Sequence, residues 1–441
     1  MDNTLEHKEI FPVEAQDMMN YIYRSFIGNQ QISYVLKFEG RLDPNLLNEA
    51  IQITVGLQPI LACRFVEDPV RPYWKKAEMA VSAEIRLGSL EESLDEAVAS
   101  YIVEKNDFES GPAMRAALFR GSSDVLCIKI FHACCDAAGF KEYLLLLSEV
   151  YSQLNVGSKA EFACPYTGER SQQRLFDAVG IVDYQTMLNP KDMPEPTWGV
   201  PSQPGSNEFP HVSMRRLDKE LFIELRNISK QKAVTINDLL VTAFYRGLFK
   251  VVDYDKEEET KEISLTVNLR RYLEDNVMDP VSNLSGMAYI AILPQEHEPF
   301  DQTLEKVVVA LGHAKSDLFG IQPAIGMEML STYGFNASFQ WLQQQSMTAI
   351  QSKKATPCIT NFGTLSADTI YFGDQEVVDA YMIPPIIYSP HFALGANTYN
   401  NQLTLSVGYH QSSNNQETVN RFLDEVVASL TDWIESSIKY S

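Results

Sequence analysis

Residues 124–154 read DVLCIKIFHACCDAAGFKEYLLLLSEVYSQL. Residues 125–131 form a short apolar run rich in β-branched and aromatic side chains, the pattern of a buried strand. From Phe140 the apolar positions fall at Phe140, Tyr143, Leu144, Leu147, Val150, Tyr151 and Leu154. That spacing of three and four marks one face of a helix. Between strand and helix lie His132 and Asp136, four apart, with Gly139 just beyond. A polar turn braced by packed elements on both sides can hold an imidazole at a fixed place, as a catalytic base requires. The same His also reads as a hydrogen-bonded residue at a strand end.

The spacing alone discriminates little, because His297 with Asp301 and His313 with Asp317 repeat it. His297 lies in QEHEPFD, a charged stretch broken by Pro299 that reads as a loop. His313 lies in TLEKVVVALGHAKSDLF, where it and Asp317 would sit one turn apart on a helix. Only His132 follows an apolar strand and precedes an amphipathic helix.

This segment resembles the active-site strand, loop and helix of the acyltransferase superfamily that includes chloramphenicol acetyltransferase, stand-alone alcohol acyltransferases and the condensation domains of nonribosomal peptide synthetases. Members carry a His, three variable residues, then Asp and Gly, often with a second His in front. Here the preceding position is Phe131 and the position after Asp136 is Ala137. Gly at that place would tolerate a backbone conformation that Ala disfavours. The resemblance implies an α/β fold: two chloramphenicol acetyltransferase-like subdomains, each a mixed sheet with flanking helices, facing each other across a tunnel.

Composition bounds the partners. The chain has 441 residues, enough for two to three domains, with 45% hydrophobic and 21% charged residues, as in a globular protein. A formal net charge of −22 argues against nucleic acid, whose phosphates need a basic surface. No run approaches the length of a membrane span and the start lacks the features of a secretory signal, so a cytoplasmic location is expected. The six Cys have no metal-ligand spacing and read as reduced core thiols, the adjacent Cys134 and Cys135 included. No metal and no permanently bound cofactor are expected.

In chain order, FPVEAQDMMNYIYRSF resembles the opening of condensation-type proteins, with a Pro and a Gln before a first helix. QISYVLKFEG alternates like a strand, LDPNLLNEAIQITVGLQ is helical, and PILACRFVED reads as a further strand in which only Arg64 remains of two family arginines. SLEESLDEAVASYIVEK is a helix with an acidic first turn. NDFESGPAMRAALFRG matches a family turn and strand running beside the active-site strand. Residues 164–210, with Pro165, Pro190, Pro194, Pro196, Pro201, Pro204 and Pro210 and turns at Gly199, Gly205 and Ser206, read as a crossing between subdomains. The expected division is 1–185 for the subdomain with the His132 motif, 186–210 for the Pro-rich crossing and 211–441 for the second subdomain.

The second half opens with the strand HVSMRRLD and the helix KELFIELRNISKQ. Thr235 and Asp238 make a capping-box start for INDLLVTAFYRGLFKVV. After the charged loop DYDKEEETKE, ISLTVNLRRYLE ends in an Arg-bearing turn as in the family, and NLSGMAYIAILP follows. Helices are expected near 303–318 and 328–351. CITNFGTL, with Asn361 and Gly363, resembles the segment where the C-terminal half of the family crosses over the N-terminal one. PHFALGANTYNNQLTLSVGYH reads as two strands joined at 399–401, with QETVNRFLDEVVASLTDW as a closing helix.

The resemblance implies that His132 is a general base, suited to neutral pH, in attack of an alcohol or amine on a thioester. It implies that Asp136 points away from the substrates and pairs with an Arg; Arg270, Arg271 and Arg64 are the candidates, in that order. Donors to the developing oxyanion are sought among Ser282, Asn283, Ser285 and Asn361, which also read as turn formers. The resemblance further implies acyl-CoA as donor co-substrate and a small molecule as acceptor. Two alternatives stay open: a discrete condensation-type enzyme fed by an acyl or peptidyl carrier protein, and a catalytically silent relative that binds a ligand.

Overall fold

The structure, a computed structural model, describes residues 10–87, 93–158, 162, 169–188, 194–203, 207–252, 259–273, 281–295, 297–315, 318–366 and 369–439. Asp317, Cys164, Pro165, Pro190, Pro204, Gly205, Ser206, the first nine residues and the charged loop 253–258 lie outside the described residues.

The first half runs β1 (Ile10–Pro12), α1 (Ala15–Tyr23), β2 (Gln31–Phe38), α2 (Pro44–Leu57), β3 (Cys63–Val66), β4 (Tyr73–Lys76) and β5 (Ala83–Leu87). It continues with α3 (Leu94–Val103), β6 (Met114–Arg120), β7 (Asp124–Phe131), α4 (Ala137–Asn155) and the short α5 (Gln173–Ala178). The second half runs β8 (Pro210–Leu217), α6 (Lys219–Gln231), α7 (Ile236–Val251), β9 (Lys261–Asn268), β10 (Ser285–Ile292) and α8 (Phe300–Ala314). There follow α9 (Gln322–Ser331), α10 (Phe335–Ser352), β11 (Cys358–Leu365), β12 (Tyr371–Phe372), β13 (Gln375–Ile383), β14 (Ala393–Tyr399), β15 (Gln402–His410) and α11 (Gln416–Lys439).

Two six-stranded mixed sheets result, in the orders β12-β13-β2-β7-β6-β5 and β10-β9-β11-β14-β15-β8. β7 is central in the first sheet, antiparallel to both β2 and β6, and every residue of it is buried. That explains its apolar run: both faces are covered, one by the core with α1, α2 and α4, the other by α3 through Val98, Tyr101 and Ile102. Lys129, inside that run, is fully buried. Its ammonium donates to Tyr101 O (2.7 Å) and Glu104 O (2.9 Å) at the end of α3 and lies 3.9 Å from the Tyr101 ring. The second sheet packs on α6, α7, α8 and α11.

The halves interlock. β12 and β13, from beyond residue 370, complete the first sheet, β13 pairing with β2. Leu175, Phe176 and Ile181, from the first half, pack into the second core. β11 remains in the second sheet between β9 and β14, so the crossing over the first half is made by the strands just after CITNFGTL. Two further expectations shift. Residues 59–62 form a 3-10 turn, with the strand starting at Cys63. The helix expected at 328–351 is two helices, α9 and α10, broken at Gly334, whose φ of 84° favours glycine. There the chain folds back so that Asn336 N bonds to Pro69 O. The box of Thr235 and Asp238 caps α7, and Asn400 and Asn401, both at positive φ, make the tight turn between β14 and β15.

Candidate active site

The turn after β7 is specified bond by bond. His132 N donates to Gln30 O (2.8 Å) and Cys134 N to Phe131 O (3.0 Å). Asp136 is the N-cap of α4: its Oδ1 accepts from Gly139 N at 2.8 Å. Its Oδ2 accepts from Leu284 N and from Arg270 Nη1, both at 2.7 Å. Arg270 also reaches Ser282 O (3.1 Å) and Ser282 Oγ (3.2 Å). Of the three arginines considered for Asp136, Arg270 is therefore the partner in space. Arg271 instead lies over the rings of Tyr272 and Phe319, and Arg64 reaches Glu109 O at 3.4 Å.

Burial alone would raise the Asp136 pKa, but the Arg270 charge and the bonds from Arg270, Gly139 and Leu284 outweigh it and hold the carboxyl below its usual value. For His132, burial pushes the pKa below 6.5, with its own carbonyl, Asp136 and Asn283 opposing. Burial thus favours the uncharged imidazole. His132 lies deep in the molecule yet keeps part of its surface accessible, as do Tyr23, Tyr289 and Cys358. Its Nδ1 is buried.

The two departures from the family motif have simple structural readings. Phe131 is fully buried, stacked on Phe108 at 4.4 Å and edge-on to Trp74 and Tyr21. Ala137 opens α4 without a positive φ, so the strain expected of a non-Gly residue there does not arise. The tight position is Gly139: a Cβ would stand 3.1 Å from Ser282 O, 3.3 Å from Cys135 Sγ and 3.4 Å from Arg270 Nη2, so these neighbours would have to give by a few tenths of an ångström. Cys134 and Cys135 are buried free thiols, both pushed up by burial.

The four polar residues considered for the oxyanion have different surroundings. Ser282 is buried against Arg270. Asn283 spends its amide on His132 O (3.0 Å) and Ala133 O (2.8 Å). Asn361 is exposed on β11, accepting from Gly363 N (2.9 Å) and donating to Asn237 Oδ1 (3.3 Å). Gly363 takes a φ of 72° at a bulge in β11, and Lys141 of α4 donates to the neighbouring Phe362 O at 2.8 Å. Ser285 is half-buried on β10, held to Gln16 of α1 through its backbone. Along β10 the half-buried Ser285, Met287 and Tyr289 alternate with buried Gly286, Ala288 and Ile290, so they face away from the second core. Tyr289 neighbours Tyr23 of α1 and Cys358 of β11.

Sequence reading passed over a second buried ion pair at this turn. Asp17 of α1, fully buried, accepts from Arg170 Nη1 (2.7 Å) and Nη2 (3.0 Å), Trp74 Nε1 (2.9 Å) and Asn283 Nδ2 (3.2 Å). Arg170 comes from the stretch read as a crossing. The signal was an acid in an apolar helix, AQDMMNYI, which must find a partner once buried.

The condensation-domain family model matches residues 28–173. No curated protein sequence matches the chain. Among solved structures, trichothecene 15-O-acetyltransferase from Fusarium sporotrichioides superposes with a TM-score of 0.73 at 12% identity, covering 96% of this chain and 94% of that one. The first condensation domain of the CDA synthetase gives 0.64 at 13% identity, over 96% and 97% of the two chains. The starter condensation domain of rhizomide synthetase, in complex with C8-CoA, gives 0.65 at 12% identity, over 96% and 94%. Among the described residues no His, Cys, Asp and Glu group could hold a metal ion, and no helix is long and apolar enough to cross a membrane. In its N-terminal part this chain matches the condensation-domain family, and along its length it has the two-unit α/β fold of condensation domains and chloramphenicol acetyltransferase-like acyltransferases.

Proposed function

We propose that this protein transfers an acyl group from an acyl-CoA thioester to an alcohol or amine, with His132 as general base. The single observation that carries the reading is the setting of His132: an imidazole deep but still reachable, on a turn whose carboxylate is tied to Arg270, where burial favours its uncharged form. With Nδ1 closed in, Nε2 is the nitrogen left to meet a proton. In the step, the acceptor's O–H or N–H proton passes to Nε2 as oxygen or nitrogen bonds to the acyl carbon. The C–S bond then breaks, and the imidazolium returns the proton to the CoA thiolate. General-base help of this kind contributes about a hundredfold to ten-thousandfold.

Asp136 acts in this reading as support, since its carboxylate is spent on Arg270, Leu284 and Gly139. Ser285 is the proposed oxyanion donor, because Ser282 is fully buried against Arg270, and Asn283 and Asn361 already donate their amides to protein groups. The reactants would meet between α1 and the β9-β10-β11 face, where Tyr23, Tyr289 and Cys358 stay partly accessible. The match to the condensation-domain family favours a second reading, in which the donor is carrier-bound. The net charge of −22 works against docking an acidic carrier.

Release of free thiol from acetyl-CoA and longer acyl-CoAs, measured against a panel of alcohols and amines, tests this. Turnover that disappears in His132→Ala supports the proposal. Turnover only with a loaded carrier transfers it to the second reading, and turnover undiminished in His132→Ala removes the base. A wild-type chain inert with every donor would be a binding relative.

A further inference from the structure

The turn bearing His132 is gripped at three successive carbonyls. Asn283 Nδ2 donates to His132 O (3.0 Å) and Ala133 O (2.8 Å), and Arg170 Nη2 donates to Cys134 O at 2.8 Å. Asn20 adds a longer bond to His132 O, at 3.3 Å. Both main donors converge on one acceptor, the Asp17 carboxylate, which takes Arg170 Nη1 at 2.7 Å, Arg170 Nη2 at 3.0 Å and Asn283 Nδ2 at 3.2 Å. Trp74 Nε1 at 2.9 Å fixes that carboxylate from another strand. Arg170 Nε also holds Val281 O at 2.8 Å, next to Ser282, whose carbonyl accepts from Asp136 N and Arg270. The four residues 281–284 are thus tied alternately to two ion pairs, Asp17–Arg170 and Asp136–Arg270.

Backbone carbonyls held at residues 132–134 leave the peptide planes of the turn no freedom to rotate, and the direction of the His132 side chain follows from those planes. A neutral Asn or a mobile Arg would hold them loosely. Here each donor is itself aimed by a buried charge, in a setting where hydrogen bonds to charged groups are strong. We propose that Asp17 is a positioning residue for the reaction: through Arg170 and Asn283 it fixes the carbonyls of residues 132–134 and so aims the His132 imidazole. The inference rests on His132 being the base, as proposed above. Asp17 touches no reactant; it acts only through the turn.

The test is a double-mutant cycle joined to a readout independent of turnover. Asp17→Asn lowers kcat about 10–100-fold, the order expected of a sub-ångström to 1 Å misplacement, with the KM for acyl-CoA within about twofold. Asn283→Ala, which leaves the ion pair intact, lowers kcat in the same direction and serves if Asp17→Asn folds poorly. Arg170→Lys, which keeps a charge beside Asp17 but has one arm, restores activity only partly relative to Arg170→Ala. In the His132→Ala background, Asp17→Asn has no further effect on residual turnover if it acts through His132. The same fractional loss in both backgrounds would mean a merely structural role and would overturn the proposal.

Independently of activity, the ring resonance of His132 in histidine-labelled protein, assigned by its absence in His132→Ala, shifts or broadens in Asp17→Asn and Asn283→Ala, while that of His313 on α8 stays. A His132 resonance unmoved in both variants overturns the proposal even if no acceptor is found. Unchanged turnover in His132→Ala alone would refute the base and leave the resonance test standing.

Discussion

Replacing Asp136 with Ala removes an acceptor that three donors share, Arg270 Nη1 and Leu284 N at 2.7 Å and Gly139 N at 2.8 Å. The side chains of the pair are only 13% and 5% exposed, so solvent replaces the lost carboxylate poorly. Breaking a buried pair by deleting one partner costs about 3–5 kcal/mol. Loss of the N-cap of α4, about 1 kcal/mol by itself, overlaps with that figure because the same carboxylate does both. Against a typical total of about 5–15 kcal/mol the loss is large, and at a slope of about 3 kcal/mol per molar urea it moves the midpoint by roughly 1 M or more. The measurement is urea unfolding followed by circular dichroism, with turnover assayed on the folded fraction. Asp136→Asn adds a sign test. A carboxyl held below its usual value in the folded state stabilises at pH above the unfolded value, near 3.8, and loses that contribution as pH falls through the folded value. The gap between wild type and Asp136→Asn should therefore be full above about pH 4 and shrink below it. An unfolding midpoint unchanged in Asp136→Ala, or a gap that widens on acidification, would refute the account of this turn.

Other outcomes follow from the same geometry. Gly139→Ala places a methyl against Ser282 O, Cys135 Sγ and Arg270 Nη2, so it should destabilise by about 1–3 kcal/mol and slow turnover; a neutral result on both would show that the first turn of α4 can yield. Because burial lowers the His132 pKa and the base works unprotonated, the acid limb of kcat/KM should lie below pH 6.5; a limb at or above that value counts against His132. Lys129 is held down at about 8 by burial, whereas an unfolded lysine keeps its proton to about pH 10.4. The unfolded chain then binds more protons in that window, so stability rises with pH across it, and Lys129→Met should flatten the rise; identical pH profiles for the two proteins would disprove the coupling.

Much of the design was legible in the chain. The run at 125–131, the three-and-four spacing from Phe140 and the Thr235 capping box are local patterns, and local patterns decide local elements. What sets His132 apart from His297 and His313 also lies in its neighbours along the chain, an apolar strand before it and an amphipathic helix after it. His297 lies outside any helix or strand, at a φ of 58°, and His313 in α8.

What neighbours along the chain could not decide was partnership across it. Three arginines were ranked as candidates for Asp136, Arg270 first, but only folding brought one to it, Arg270 from 134 residues away. Asp17 and Arg170, separated by 153 residues, showed no sequence relation at all. Nor did the residues of β13 say that it would leave its own half and pair with β2, since backbone pairing is open to a strand at any free sheet edge. Periodicity records how a segment meets its immediate surroundings; the pairing of buried charges and the closing of sheets depend on contacts distant in sequence, which only the packed tertiary structure determines.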